Sequence, residues 1–158
     1  MSLLPFFEWC ENMAVGAAIR DSLWLFPLIE SFHLLALALL GGAVLIVDLR
    51  LLGLGLRRQP AAQLAQDAHP WQVAALVVMV TSGILLFTSE AVKCYYSDAF
   101  RTKMTFLLPA IVFTFTVRRK VAAAHARVKP FWSKLVAVVS IALWSVVGAS
   151  GRWIGFSG

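Results

Sequence analysis

Residues 22–52 read SLWLFPLIESFHLLALALLGGAVLIVDLRLL. Apart from Glu30, His33, Asp48, Arg50 and a few small polar side chains the run is apolar. At roughly 1.5 Å of rise per helical residue it outreaches a hydrocarbon layer of roughly 30 Å. A transmembrane helix is therefore expected, one that tilts or runs on past the head groups toward Arg57 and Arg58. Working outward, three more apolar runs follow at 69–91, 99–121 and 131–153. Of the 158 residues 60% are hydrophobic and 14% charged, with a mean hydropathy of +0.81. A water-soluble domain of this size cannot hide that much apolar surface in one core. The expectation is a single membrane domain over residues 1–158, all-α, with four transmembrane helices in a bundle. Residues 1–21 lack the basic start and long apolar centre of a secretory signal. Phe6, Phe7 and Trp9 beside Glu8 and Glu11 predict instead a short amphipathic helix lying at the interface.

Charge orients the bundle. The formal net charge is +6, but the basic residues cluster at the ends of apolar runs, where they touch lipid head groups. They do not form a nucleic-acid surface. Arg50, Arg57, Arg58, Arg118, Arg119, Lys120, Arg127, Lys129 and Lys134 fall on one side, and Arg20, Lys93, Arg101, Lys103 and Arg152 on the other. The more basic side is cytoplasmic by the positive-inside rule, so both termini face outward. The predicted place is the bacterial inner membrane, as a multi-pass protein.

Drawn at 100° per residue, each run carries one seam of small and polar residues, as expected where helices pack in lipid. The first seam is Glu30, His33, Leu37, Gly41, Val44 and Asp48, and the second is His69, Gln72, Leu76, Met79, Gly83 and Glu90. Lys103, Ala110 and Thr114 form the third, and Lys134, Ile141, Ser145, Gly148 and Arg152 the fourth. Glu30 and His33 fall about 10 and 15 Å below the outer boundary, too deep to snorkel, and an ionisable residue there requires a partner. Lys103, Glu90 and Arg152 sit near the outer ends of the other runs. The reading is a polar pocket open to the outside and closed below by apolar layers.

Three uses of that pocket stay open: a lock between helices, a cofactor or metal site, and a path for protons or ions. Heme suits the residues. His33 supplies an imidazole ligand, Gly41 removes bulk below it for a flat macrocycle, Met79 is a candidate second axial ligand, and Lys103 and Arg152 suit the propionates. Glu30 and His33 have the Glu-x-x-His spacing of di-iron bundles, but the further carboxylates such sites need are missing at that depth. Phosphate-loop, dinucleotide-binding and zinc-pair patterns are absent.

The segment ESFHLLALALLGGAVLIVDLRLLG, followed by HPWQVAALVVMVTSGILLF and FRTKMTFLLPA, resembles the membrane-embedded, heme-containing protoporphyrinogen oxidases and the related copper-resistance membrane domains. Small bacterial four-helix membrane proteins with DLRLLG and a C-terminal GRWI resemble it more closely, and they carry no established function to transfer. The resemblance implies His33 as the heme iron ligand and Lys103 as the second residue needed at the heme. Glu30 stands where the oxidase pattern has a basic residue, and no second His lies at the depth of His33.

Cys10 and Cys94 both fall on the outer side, where one disulfide could join them. His69 and His125 are expected to be solvated at the cytoplasmic face. Trp71, Trp132 and Trp153 are expected to anchor the interfaces. Gly151 and Gly155 are spaced for a close helix contact, which leaves a homo-oligomer open. The expectation carried forward is a b-type heme protein for redox chemistry or electron transfer, with Glu30 and Lys103 as acting side chains, His33 as the metal ligand, and the bilayer and a redox partner or porphyrin-like ligand as partners. The alternatives are a small oligomeric proton or metal transporter using Glu30, His33 and Lys103, and a structural subunit of a membrane complex.

Overall fold

A computed structural model describes residues 3–55 and 58–154. Arg57 and Gly155, used above for orientation and for a glycine contact, lie outside the described residues. The helices are α1 (Leu4–Glu11), α2 (Ala14–Asp21), α3 (Leu25–Leu52), α4 (Ala61–Ser89), α5 (Ala91–Tyr96), α6 (Asp98–Phe113), a π-helical turn (Thr114–Arg118), α7 (Arg119–Ala123) and α8 (Pro130–Ile154). Among the described residues three of these, α3, α4 and α8, are long and apolar enough to cross a membrane. Leu35, Val77, Ile84, Leu108, Val112 and Val138 point outward and exposed, as a lipid-facing surface requires. This is an all-helical membrane protein.

The helix ends follow local chemistry. The Ser22 hydroxyl accepts from Leu25 N at 3.2 Å. Gly53, at φ +80°, closes α3 in the left-handed conformation, which a side chain would resist. Ser97 caps α6 by accepting from Phe100 N. The second apolar run begins its helix at Ala61, well before His69, because AAQLAQDA favours helix and Pro60 starts it. Pro70 is carried inside α4 at the loss of one backbone bond.

α3 packs along α4 and also on α8, and α8 in turn carries α6. Ala36, Leu40, Val44, Ala75, Met79, Ala110, Trp144 and Val147 make one apolar cluster. Val47, Leu51, Ala61, Leu64, Ala68, Ala122 and Ala137 make a second nearer the basic end. The inward face of α8 is Ser133, Val136, Ala137, Ser140, Trp144 and Val147, about one residue's rotation from the seam through Lys134 and Ser145, both of which are exposed. Hydrogen bonds from Ser140 and Trp144 fix that rotation.

The N-terminal segment is two helices rather than one, and it is docked on the protein. The Glu11 carboxylate accepts from Val92 N at 2.6 Å, at the start of α5. Arg20 pairs with Glu11 at 3.5 Å and donates to the Ser89 carbonyl at the end of α4. Gly16 lies so close to the Thr88 carbonyl that an added Cβ would collide with it. Cys10 and Cys94 are both buried and both free, so they are not bridged. Trp71, Trp132 and Trp153 are exposed as interfacial anchors would be. His69 and His125 are half-buried rather than solvated. His69 lies 5.8 Å from the Phe115 ring, and His125 Nδ1 meets Ser133 Oγ at 3.1 Å.

Candidate functional site

His33 projects from α3 against one turn of α4. Its Nδ1 lies 2.8 Å from Ser82 Oγ. The Val78 carbonyl, 2.6 Å away, is the nearest acceptor for the Ser82 hydroxyl proton; with the proton there, Ser82 accepts from His33 and the imidazole donates through Nδ1. In the neutral ring the electron pair therefore belongs to Nε2. A Cβ on Gly83 would lie 3.3 Å from His33 Cε1, so a side chain there would press the ring back by a few tenths of an ångström.

Lys103 approaches from α6. Its side chain runs over Gly151 of α8, where a Cβ would lie 3.4 Å from Nζ. Gly151 thus leaves room for the Lys103 side chain. Lys103 lies within electrostatic reach of His33 and of Cys94, and among the described residues no carboxylate pairs with it. Cys94 itself is a protected thiol. Burial, with Glu90 beside it, pushes its pKa up to about 11. Glu90 pairs with Lys93 at 3.7 Å.

The other expected residues differ in burial. Glu30 is exposed, on a part of α3 that precedes its first buried position, Ala36. Met79 is buried in the apolar cluster. Gly41 is half-buried, with nothing within 4 Å of an added Cβ. Arg152 is exposed in the last turn of α8. Among the described residues no group of three or more His, Cys, Asp or Glu side chains is arranged to hold a metal ion.

The model of the DUF6644 family matches residues 6–157. The chain belongs to the DUF6644 family, a family of unknown function. No curated protein and no solved structure matches it.

Among the described residues, the most heavily bonded polar group of this DUF6644 member lies at the basic end. Arg118 Nε donates to Asp48 Oδ1 at 2.5 Å, and Nη2 donates to the Val44 carbonyl at 2.7 Å. Ser140 donates to Asp48 Oδ2 at 2.7 Å, and Trp144 Nε1 to Thr114 Oγ1 at 2.9 Å. Gln72 Nε2 donates to the Ala43 carbonyl. Asp48 and Arg118 are 0% and 3% exposed, so the pair is effectively dry. The π-helical turn makes this possible. Ala110, Thr114, Arg118 and Ala122 are all buried, yet four-residue steps drift about 40° each on a regular α-helix. The wider turn at Thr114–Arg118 takes out that drift and keeps Arg118 facing in. Asp48 was visible on the first seam, but Arg118 reads as the first of a basic loop cluster. The one available signal was its four-residue step from Thr114, on the seam through Lys103 and Ala110.

Proposed function

We propose that this DUF6644 member is a multi-pass protein of the bacterial inner membrane that binds heme b through His33, for electron transfer or redox chemistry. The observation that carries the reading is the Ser82 hydroxyl on His33 Nδ1. A hydrogen bond to one ring nitrogen that fixes the tautomer and aims the other is how ligating histidines are usually held. One imidazole is a sufficient protein ligand for heme, whereas a bare metal ion needs several donors, and no such group is present among the described residues. Heme bound there would supply one-electron chemistry. Lys103, half-buried and without a carboxylate partner among the described residues, is suited to a propionate. Met79, in the apolar cluster, and Glu30, exposed, are given no part in this proposal.

The topology belongs to the same proposal. Helix is continuous over 98–123 through the π-helical turn, about 39 Å at 1.5 Å per residue, which is enough for a fourth crossing. With four crossings the basic segments lie in the cytoplasm and both termini outside.

The test is a visible absorption spectrum, oxidised and dithionite-reduced, of protein purified from heme-supplied cells. The reading predicts a Soret band that His33→Ala abolishes. Ser82→Ala should weaken heme retention about ten- to a hundredfold while preserving the band at saturating heme. A colourless wild-type protein with intact helical signal contradicts it, as does a band that survives His33→Ala.

A further inference from the structure

Toward the basic end of α4, far along the helix from Ser82, an open groove runs between α4 and α7. Gln66, His69, Pro70, Val73, Ala74 and Arg119 line its volume of about 620 Å³. The lining is sorted by depth. Val73 and Ala74 lie farther along α4, toward its apolar middle, and Gln66 and His69 lie toward its first turns, on the side that holds most of the chain's Lys and Arg. Arg119 is exposed, and among the described residues no carboxylate is bonded to it. The ring contact with Phe115 holds His69 in place. Pro70 adds a further polar feature, because it has no N–H to give the Gln66 carbonyl one turn earlier, and that carbonyl is left as an acceptor beside the groove.

We infer that this groove is a binding site for an anionic phospholipid, with the phosphate on Arg119 and His69 and an acyl chain along Pro70, Val73 and Ala74. A cationic rim above an apolar trough at the basic membrane face is the chemistry that selects such lipids over zwitterionic ones. A head-group hydroxyl would donate to the Gln66 carbonyl. The inference does not depend on heme.

The experiment is native mass spectrometry of the full chain in detergent, with phosphatidylglycerol and phosphatidylcholine added in equal amounts. Wild type is expected to retain phosphatidylglycerol about fivefold over phosphatidylcholine, the worth of one well-placed cation. Arg119→Ala should remove that preference, Arg119→Lys should keep most of it, and Lys120→Ala, a neighbouring cation outside the groove, should leave it unchanged. Val73→Trp, which fills the trough at an exposed position and leaves the charges in place, should lower retention of phosphatidylglycerol. Equal retention of the two lipids by wild type overturns the site. So does loss of preference in Lys120→Ala equal to that in Arg119→Ala, which would mean diffuse surface charge, or unchanged retention in Val73→Trp.

Discussion

Ser82 has one hydroxyl proton, and the Val78 carbonyl is its nearest acceptor. That local fact turns His33 from a polar residue in an apolar run into an oriented donor. The His33 position was legible in the sequence, because a lone ionisable side chain at that depth demands a partner. The partner was not, since a serine inside VVMVTSGILL looks like any small interface residue. Asp48 and Arg118 show the same limit more strongly. Removing one member leaves a dry, uncompensated charge, so Asp48→Leu and Arg118→Leu should each cost about 3–5 kcal/mol, whereas the double substitution should recover a large part of it. Chemical denaturation in detergent, followed by circular dichroism, reads this, and a double variant no more stable than the worse single one would contradict it. Cys94 gives a pH-dependent prediction. Its thiol is raised from 9.0 to about 11, so at mildly alkaline pH its thiolate fraction is about a hundredfold below that of an ordinary thiol. Maleimide labelling in a Cys10→Ser background should be slower by a similar factor while the protein is folded. Because the unfolded thiol ionises first, this group should also withdraw stability as pH rises from 9.0 toward 11. Labelling at the rate of the denatured chain would contradict both.

At the scale of elements, the apolar runs located their helices well, because length and composition alone decide whether a segment can live in lipid. Rotation about each helix axis was harder. Periodicity placed Gln72, Met79, Ala110 and Thr114 inward, and all four are buried. It misplaced the face of α8, where Ser140 and Trp144 answer to Asp48 and Thr114 on other helices, a cue no single helix carries. The π-helical turn was equally hidden, since nothing in TFTVR distinguishes it from regular helix. The N-terminal pair α1–α2 reads as a segment lying on lipid, yet Glu11, Arg20 and Gly16 fasten it to the ends of α4 and α5. Gly16→Val should push it off, because the atom in the way is backbone and cannot turn aside. Limited proteolysis should then cut before Ser22 faster than in wild type, with the melting of the long helices nearly unchanged. An unaltered cleavage rate would contradict the docking.

At the scale of the whole molecule, the polar features form two tiers separated by an apolar layer. Asp48, Arg118 and Ser140 lie toward the basic end and His33, Ser82 and Lys103 toward the opposite one, with Leu40, Val44, Met79 and Trp144 between them. The tier at the basic end is fully bonded and joins α3, the π-helical turn and α8, which suits a fixed floor. The other tier has an imidazole on the Ser82 hydroxyl and, among the described residues, an amine without a carboxylate partner. Orientation is testable directly. Single cysteines at positions 58 and 129 should react with an impermeant maleimide only after the inner membrane is opened, and one at position 93 should react in intact spheroplasts. The reverse pattern would contradict the outward placement of the termini.

The central claim is that His33 holds heme, and the heme content of the purified chain tests it most directly. Pyridine hemochrome measured against protein, after purification from heme-supplied cells, should give close to one heme b per chain for wild type and none for His33→Ala at equal helical content. Helical, monodisperse wild-type protein without heme, or His33→Ala with the wild-type amount, would contradict the account.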